Sequence, residues 1–143
     1  MRRPQDQALT CLSSDLYDGG MTRDDALTVA RTYHRAWTSG DFVEAGNCLS
    51  DMLRVEVPIS SYPGKIDFLN AVQLTREMAS RVELLADFGH DDEALLLYDM
   101  TLPMGELRVA EHFVISDGQI TLIRQVHDTA TLRAAGFGQP GAT

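Results

Sequence analysis

Positive charge is what this chain has least of. Lys65 is the only lysine in 143 residues, and 12 Lys+Arg side chains stand against 21 Asp+Glu for a formal net charge of −9. Nucleic acid and anionic membrane surfaces bind clustered cations that neutralise phosphates, so the balance argues against both as partners. Cysteine is also scarce. Cys11 and Cys48 are too few for a disulfide framework and lack metal-ligand spacing, so they read as reduced thiols of a cytoplasmic protein. No apolar run approaches the roughly 20 residues that cross a bilayer. The opening MRRPQDQALTCLSSDLYDGG has two arginines but no apolar centre, unlike a secretory signal.

What is present is a globular composition, 44% apolar and 23% charged, in a length that suits one domain. Residues 1–21 lack periodicity and reach Gly19–Gly20, so a flexible tail is expected there, with Met21 a second candidate start. The domain is expected over residues 22–137, followed by a loose tail at 138–143. Thr22 and Asp25 suit a helix start, and Ala26, Ala30, Tyr33 and Trp37 fall on one face up to an αL end at Gly40. Asp41 and Glu44 open a second, short helix. Met52–Val57 alternates as a strand that Pro58 ends, and Asp67–Ser80 has helical spacing. Four further strands are expected at Arg81–Phe88, Ala94–Leu102, Leu107–Ile115 and Ile120–Asp128. Helices and strands in this order predict an α+β fold: a cone-shaped, strongly curved, mostly antiparallel sheet wrapped around three helices and enclosing a pocket.

The last two strands, LRVAEHFVISDGQITLIRQVHD, set polar groups into β-branched and aromatic sequence. Unpaired burial of such groups is costly, so their faces matter. The turn at Ser116–Asp117–Gly118 admits two registers. A two-residue Asp-Gly hairpin pairs Glu111 with Arg124 and groups it with Asp128. A three-residue loop with Gly118 as an αL bulge pairs Glu111 with Ile123. It then groups Glu111 with Val109, Phe113, Gln125 and His127, and turns His112, Arg124 and Asp128 to the other face. Apolar patterning alone leaves both open. His34 and His90 are expected to be exposed.

Four strings, ARTYHRAWTSGDF (Ala30–Phe42), LRVEVPISSYP (Leu53–Pro63), AEHFVISDGQI (Ala110–Ile120) and HDTATLRAAGF (His127–Phe137), together resemble the nuclear transport factor 2-like superfamily. The similarity is to its SnoaL-like polyketide cyclase and ketosteroid isomerase branches. It implies the second register, with Glu111 and His127 toward a cavity. It also implies that Tyr33 is a pocket tyrosine donating a hydrogen bond to a developing oxyanion, and that Glu111 is an acid held protonated by apolar surroundings. Val57 stands where the isomerase has its aspartate base, so another base is needed, and Glu111 or His127 could serve. Asp128 is a further acid by its HDxxxL context.

The resulting expectation is a small enzyme of isomerase, cyclase, dehydratase or hydrolase type acting on a hydrophobic, carbonyl-bearing molecule, without metal or organic cofactor. Glu111, His127 and Tyr33 are the catalytic candidates. Trp37, Val57, Tyr98, Met100, Val109, Phe113 and Gln125 are the substrate-binding ones. The alternative is a ligand-binding or interaction module of the same fold without turnover. The opposite sheet face, with His112, Leu122, Arg124 and Val126, is expected to pair two copies as a homodimer.

Overall fold

A computed structural model describes residues 23–138. The N-terminal tail, the Met21 start, the Thr22–Asp25 cap and all but the first residue of the C-terminal tail lie outside those whose side chains are described.

Helix α1 (Arg23–Ser39) buries Ala26, Ala30, Tyr33 and Trp37, the stripe that its spacing predicts, and Val29 beside them. Gly40 ends it at φ +91°, with the amide of Asp41 bonded to the Ala36 carbonyl at 2.8 Å, a closure that suits a residue without a side chain. Arg76 adds a cation at that end, its Nε 2.6 Å from the Thr38 carbonyl oxygen. Asp41 caps α2 (Phe42–Asn47) by accepting from the Glu44 amide at 3.0 Å.

Strand β1 (Leu49–Glu56) precedes α3 (Lys65–Met78), and then come β2 (Arg81–His90), β3 (Glu93–Leu102), β4 (Gly105–Ser116) and β5 (Gln119–Val126). A fourth helix, α4 (Ala130–Ala134), follows where the sequence reading assigns no element. The single lysine ties α3 to β1: Lys65 Nζ donates to the Leu49 carbonyl at 2.9 Å. On the other side of the molecule Arg31 grips Asp87 of β2 with two bonds, at 2.6 and 3.0 Å.

The sheet order is β1-β5-β4-β3-β2. This corrects the expected cone. The sheet is open and mixed, neither closed nor strongly curved, and four helices accompany it. β1 pairs with β5 in parallel, because a helix, not a tight turn, carries the chain away from β1 and the last strand returns beside it in the same direction. The inner face is read from β3 and β4. Ala94, Leu96, Tyr98, Met100 and Leu102 are buried on β3, and Leu107, Val109, Glu111, Phe113 and Ile115 on β4, each at every second position.

The β4–β5 hairpin combines the two expected registers. Asp117 at φ +53° and Gly118 at φ +78° form a two-residue turn, and Ser116 pairs with Gln119. Ile115 then pairs with Ile120 but Val114 with Leu122, so Thr121 is the extra residue of a bulge. Its hydroxyl donates to the Val114 carbonyl at 3.2 Å. Beyond the bulge Glu111 lies opposite Gln125, and His112 opposite Arg124. The faces are those of the second register, but the slip comes from Thr121, three residues past Gly118.

Cys48, fully buried after α2, is disulfide-bonded. That corrects its reading as a reduced thiol and removes the support it gave to a cytoplasmic location. No helix among the described residues is long and apolar enough to cross a membrane.

Candidate functional site

Between the inner sheet face and α1, α3 and α4 lies a cavity of ≈ 190 Å³. Tyr33 and Trp37 reach it from α1, Tyr98 and Met100 from β3, and Val109 and Glu111 from β4. Gln125 and His127 line it from the end of β5 and just beyond, and Val57 from the end of β1. Of the expected site residues only Phe113 is missing from the wall. It is fully buried one layer away, where its ring meets Tyr33 edge-on at 5.9 Å between centroids.

Glu111 is the polar centre. It is 1% exposed, and both carboxylate oxygens accept hydrogen bonds: Oε1 from the Tyr98 hydroxyl at 3.0 Å, Oε2 from Gln125 Nε2 at 2.9 Å. Strand pairing explains both partners. Gln125 lies directly opposite on β5, and Tyr98 lies on the diagonal across β3, one inner-face position from the Leu96–Glu111 pair. Burial pushes the Glu111 carboxyl up to about 7, and the Gln125 and Tyr98 bonds, which favour the anion, limit the rise. Burial, with the Glu111 charge second, raises the Tyr33 and Tyr98 hydroxyls well above the ordinary phenol range. Both phenols are therefore donors near neutral pH.

His127 lies in the wall half-buried, with Nδ1 3.1 Å from the Asp128 carbonyl oxygen. Glu111 is held by Tyr98 and Gln125 instead, so the two acid/base candidates share a cavity without sharing a bond. Asp128 is exposed and accepts from the Ala130 amide at 2.9 Å, a local turn bond at the entry to α4. It is outside the cavity wall.

His34 departs from expectation. It is 7% exposed, stacked obliquely on Tyr98 at 4.9 Å and edge-on to Trp37 at 5.6 Å. Its Nδ1 is buried without a hydrogen-bond partner, and burial, helped by Arg35, pushes the imidazole down to about 4. His34 sits at α1 position i+1 from Tyr33, and that spacing alone placed it off the apolar stripe. His90 is exposed as expected. His112 pairs with Glu93 on the outer sheet face at 2.6 Å.

The sequence reading missed the outer wall. Tyr62 and Phe68, packed edge-to-face at 5.6 Å, line it from the β1–α3 loop and α3, and Leu132 and Phe137 line it from α4 and its following turn. The HDTATLRAAGF string contained the last two, but without a helix there was no reason to fold them back over the sheet. The role of Tyr98 was also missed, since its partner becomes visible only through the β3–β4 register. Among the described residues no three His, Cys, Asp or Glu side chains stand together as metal ligands.

No family model and no curated protein matches this chain. Solved structures do. A protein of Kribbella flavida DSM 17836 is 30% identical over 78% of this chain and 93% of that one, with a TM-score of 0.73. An NTF2-like protein of Cytophaga hutchinsonii ATCC 33406 is 15% identical over 76% of this chain and 94% of its own, with a TM-score of 0.65. An LEH-like epoxide hydrolase of M. tuberculosis is 18% identical, covers 78% of this chain and 89% of its own, and has a TM-score of 0.63. The last two are similar in fold alone.

Proposed function

Because this chain belongs to the nuclear transport factor 2-like superfamily, which includes the SnoaL-like domains, we propose that its cavity is the active site of a small-molecule enzyme. The reaction is acid/base chemistry on a hydrophobic, carbonyl-bearing substrate. The observation that carries this reading is Glu111: a carboxyl buried among aromatic and aliphatic side chains, poised at about 7, where it can both take and return a proton.

In this scheme the Glu111 carboxylate removes a proton α to the carbonyl. The C–H electrons move into the enolate, and the Tyr33 hydroxyl donates a hydrogen bond to the developing oxyanion. Glu111 then returns the proton to the same or a neighbouring carbon. Tyr98 and Gln125 orient the carboxylate, and His127 serves as the second proton site. Such a cycle isomerises, and with a leaving group or an internal electrophile it eliminates or cyclises. Val57, at the wall position where the related isomerases carry an acid, leaves this work to Glu111.

The test is exchange of α-protons for solvent deuterium in a panel of small cyclic ketones, followed by NMR. Wild type is expected to exchange them well above buffer, and Glu111→Gln to lose at least about 100-fold. Ketones that bind without any exchange would leave the second reading, a binding module of the same fold. The absence of a strand-1 acid at Val57 favours that alternative. Two copies are proposed to pair through the outer sheet face, away from the cavity.

A further inference from the structure

Among the described residues, the cavity wall contains one side chain with a fixed charge sign, Glu111, and no lysine or arginine. The groups facing its carboxylate are neutral near neutral pH: the hydroxyls of Tyr33 from α1 and Tyr98 from β3, and the Gln125 amide from β5. His127 and the Tyr62 phenol are the remaining titratable groups of the wall, and His34 lies behind Tyr98. The two bonds that Glu111 accepts aim the carboxylate and favour its charged form, yet nothing beside it supplies a countercharge.

The rings of Tyr33, Trp37, Tyr62, Phe68 and Tyr98 line the same cavity as this acid. Aromatic faces and a lone carboxylate attract a cation and disfavour an anion. A carboxylate or phosphate ligand would meet like charge with no base to receive it. The net charge of −9 extends the same bias over the surface, drawing cations toward the protein. The ≈ 190 Å³ space suits the body of one small ring system.

We propose that the cavity takes a small ring-bearing organic cation, a protonated amine whose N–H donates to Glu111 while its apolar body lies against Trp37 and Tyr62. This rests on the reading of the cavity as the ligand site and names the class of molecule it selects.

The matched pair 1-phenylethylamine and acetophenone tests this, because the two share a skeleton and differ in charge. Benzoate is the anionic control. Calorimetric binding to the full chain is measured from about pH 5.5 to about pH 8.5, in two buffers of different ionisation heat. The expected result is that the amine binds roughly tenfold or more tightly than the ketone above pH 7. Its affinity should fall roughly tenfold or more toward pH 5.5, with proton release on binding in the acidic range. Benzoate should not bind. Glu111→Gln should abolish the preference for the amine, and the proton count on wild type gives the same information should that variant fail to fold. A ketone that binds as tightly as the amine, with affinity falling as pH rises, overturns the cation proposal and leaves the acid/base reading standing. Binding by neither molecule overturns both.

Discussion

Among the described residues Glu111 and His34 are the two buried side chains that titrate between acid and neutral pH, and they bias stability in opposite directions. The folded state holds the Glu111 proton more tightly than the unfolded chain does, because its carboxyl is moved from 4.5 up to about 7. Its contribution is full below about 4.5 and is lost as pH rises through about 7, at a cost of roughly 3 kcal/mol. His34 is moved from 6.5 down to about 4. Its contribution is full above about 6.5 and is lost as pH falls toward 4. Between these limits the two offset each other. Glu111→Gln is expected to remove the loss between about pH 4.5 and about pH 7, leaving stability that rises from about pH 4 to about pH 6.5 and then stays level. Urea denaturation across that range checks it, and a profile parallel to wild type would reject the assignment. The orphaned Nδ1 of His34 suits an imidazole that remains neutral at physiological pH.

Among the elements, the β4–β5 hairpin decides what the cavity contains. Its turn and its register are separate devices. Gly118 supplies a left-handed residue at the tip, and a Cβ built there meets nothing within 4 Å, so Gly118→Ala costs backbone strain alone. The expected loss is about 1 kcal/mol in denaturant midpoint stability, with ligand binding unchanged. Loss of binding in that variant would show that the turn sets the register. The structure places that role at the Thr121 bulge and in the parallel pairing of β5 with β1. Either device alone would turn Gln125 away from Glu111 and leave one carboxylate oxygen without its partner.

At the scale of the whole molecule, an open sheet leaves a second face to account for. Cross-strand polar pairs lie on it: a hydrogen bond between Glu93 and His112 at 2.6 Å, and ion pairs of Asp99 with Arg108 at 2.7 Å and Glu56 with Arg124 at 2.9 Å. Such exposed pairs stabilise a monomer little and suit a polar interface. Val126 stands among them 68% exposed. If two copies meet there, sedimentation equilibrium at tens of micromolar protein should give a dimer for wild type and a monomer for Val126→Lys. A monomeric wild type would refute this pairing.

Local pattern determined most of the elements and which residues could be inside. The α1 stripe, the Gly40 stop, the Asp41 cap and the alternation along β3 and β4 are short-range consequences of side-chain period and backbone sterics, legible without partners. The shared face of Tyr33 and Trp37 was legible for the same reason, whereas the cavity positions of Tyr98, Val109, Glu111 and Gln125 came from the family resemblance, since patterning alone left both hairpin registers open. Tertiary structure alone decided the open, mixed sheet, the burial of His34, the folding back of α4 with Leu132 and Phe137, and the bonds that hold Glu111. Each depends on which strand lies beside which and in what register. A single extra residue at Thr121 changes that register, and no local preference encodes it.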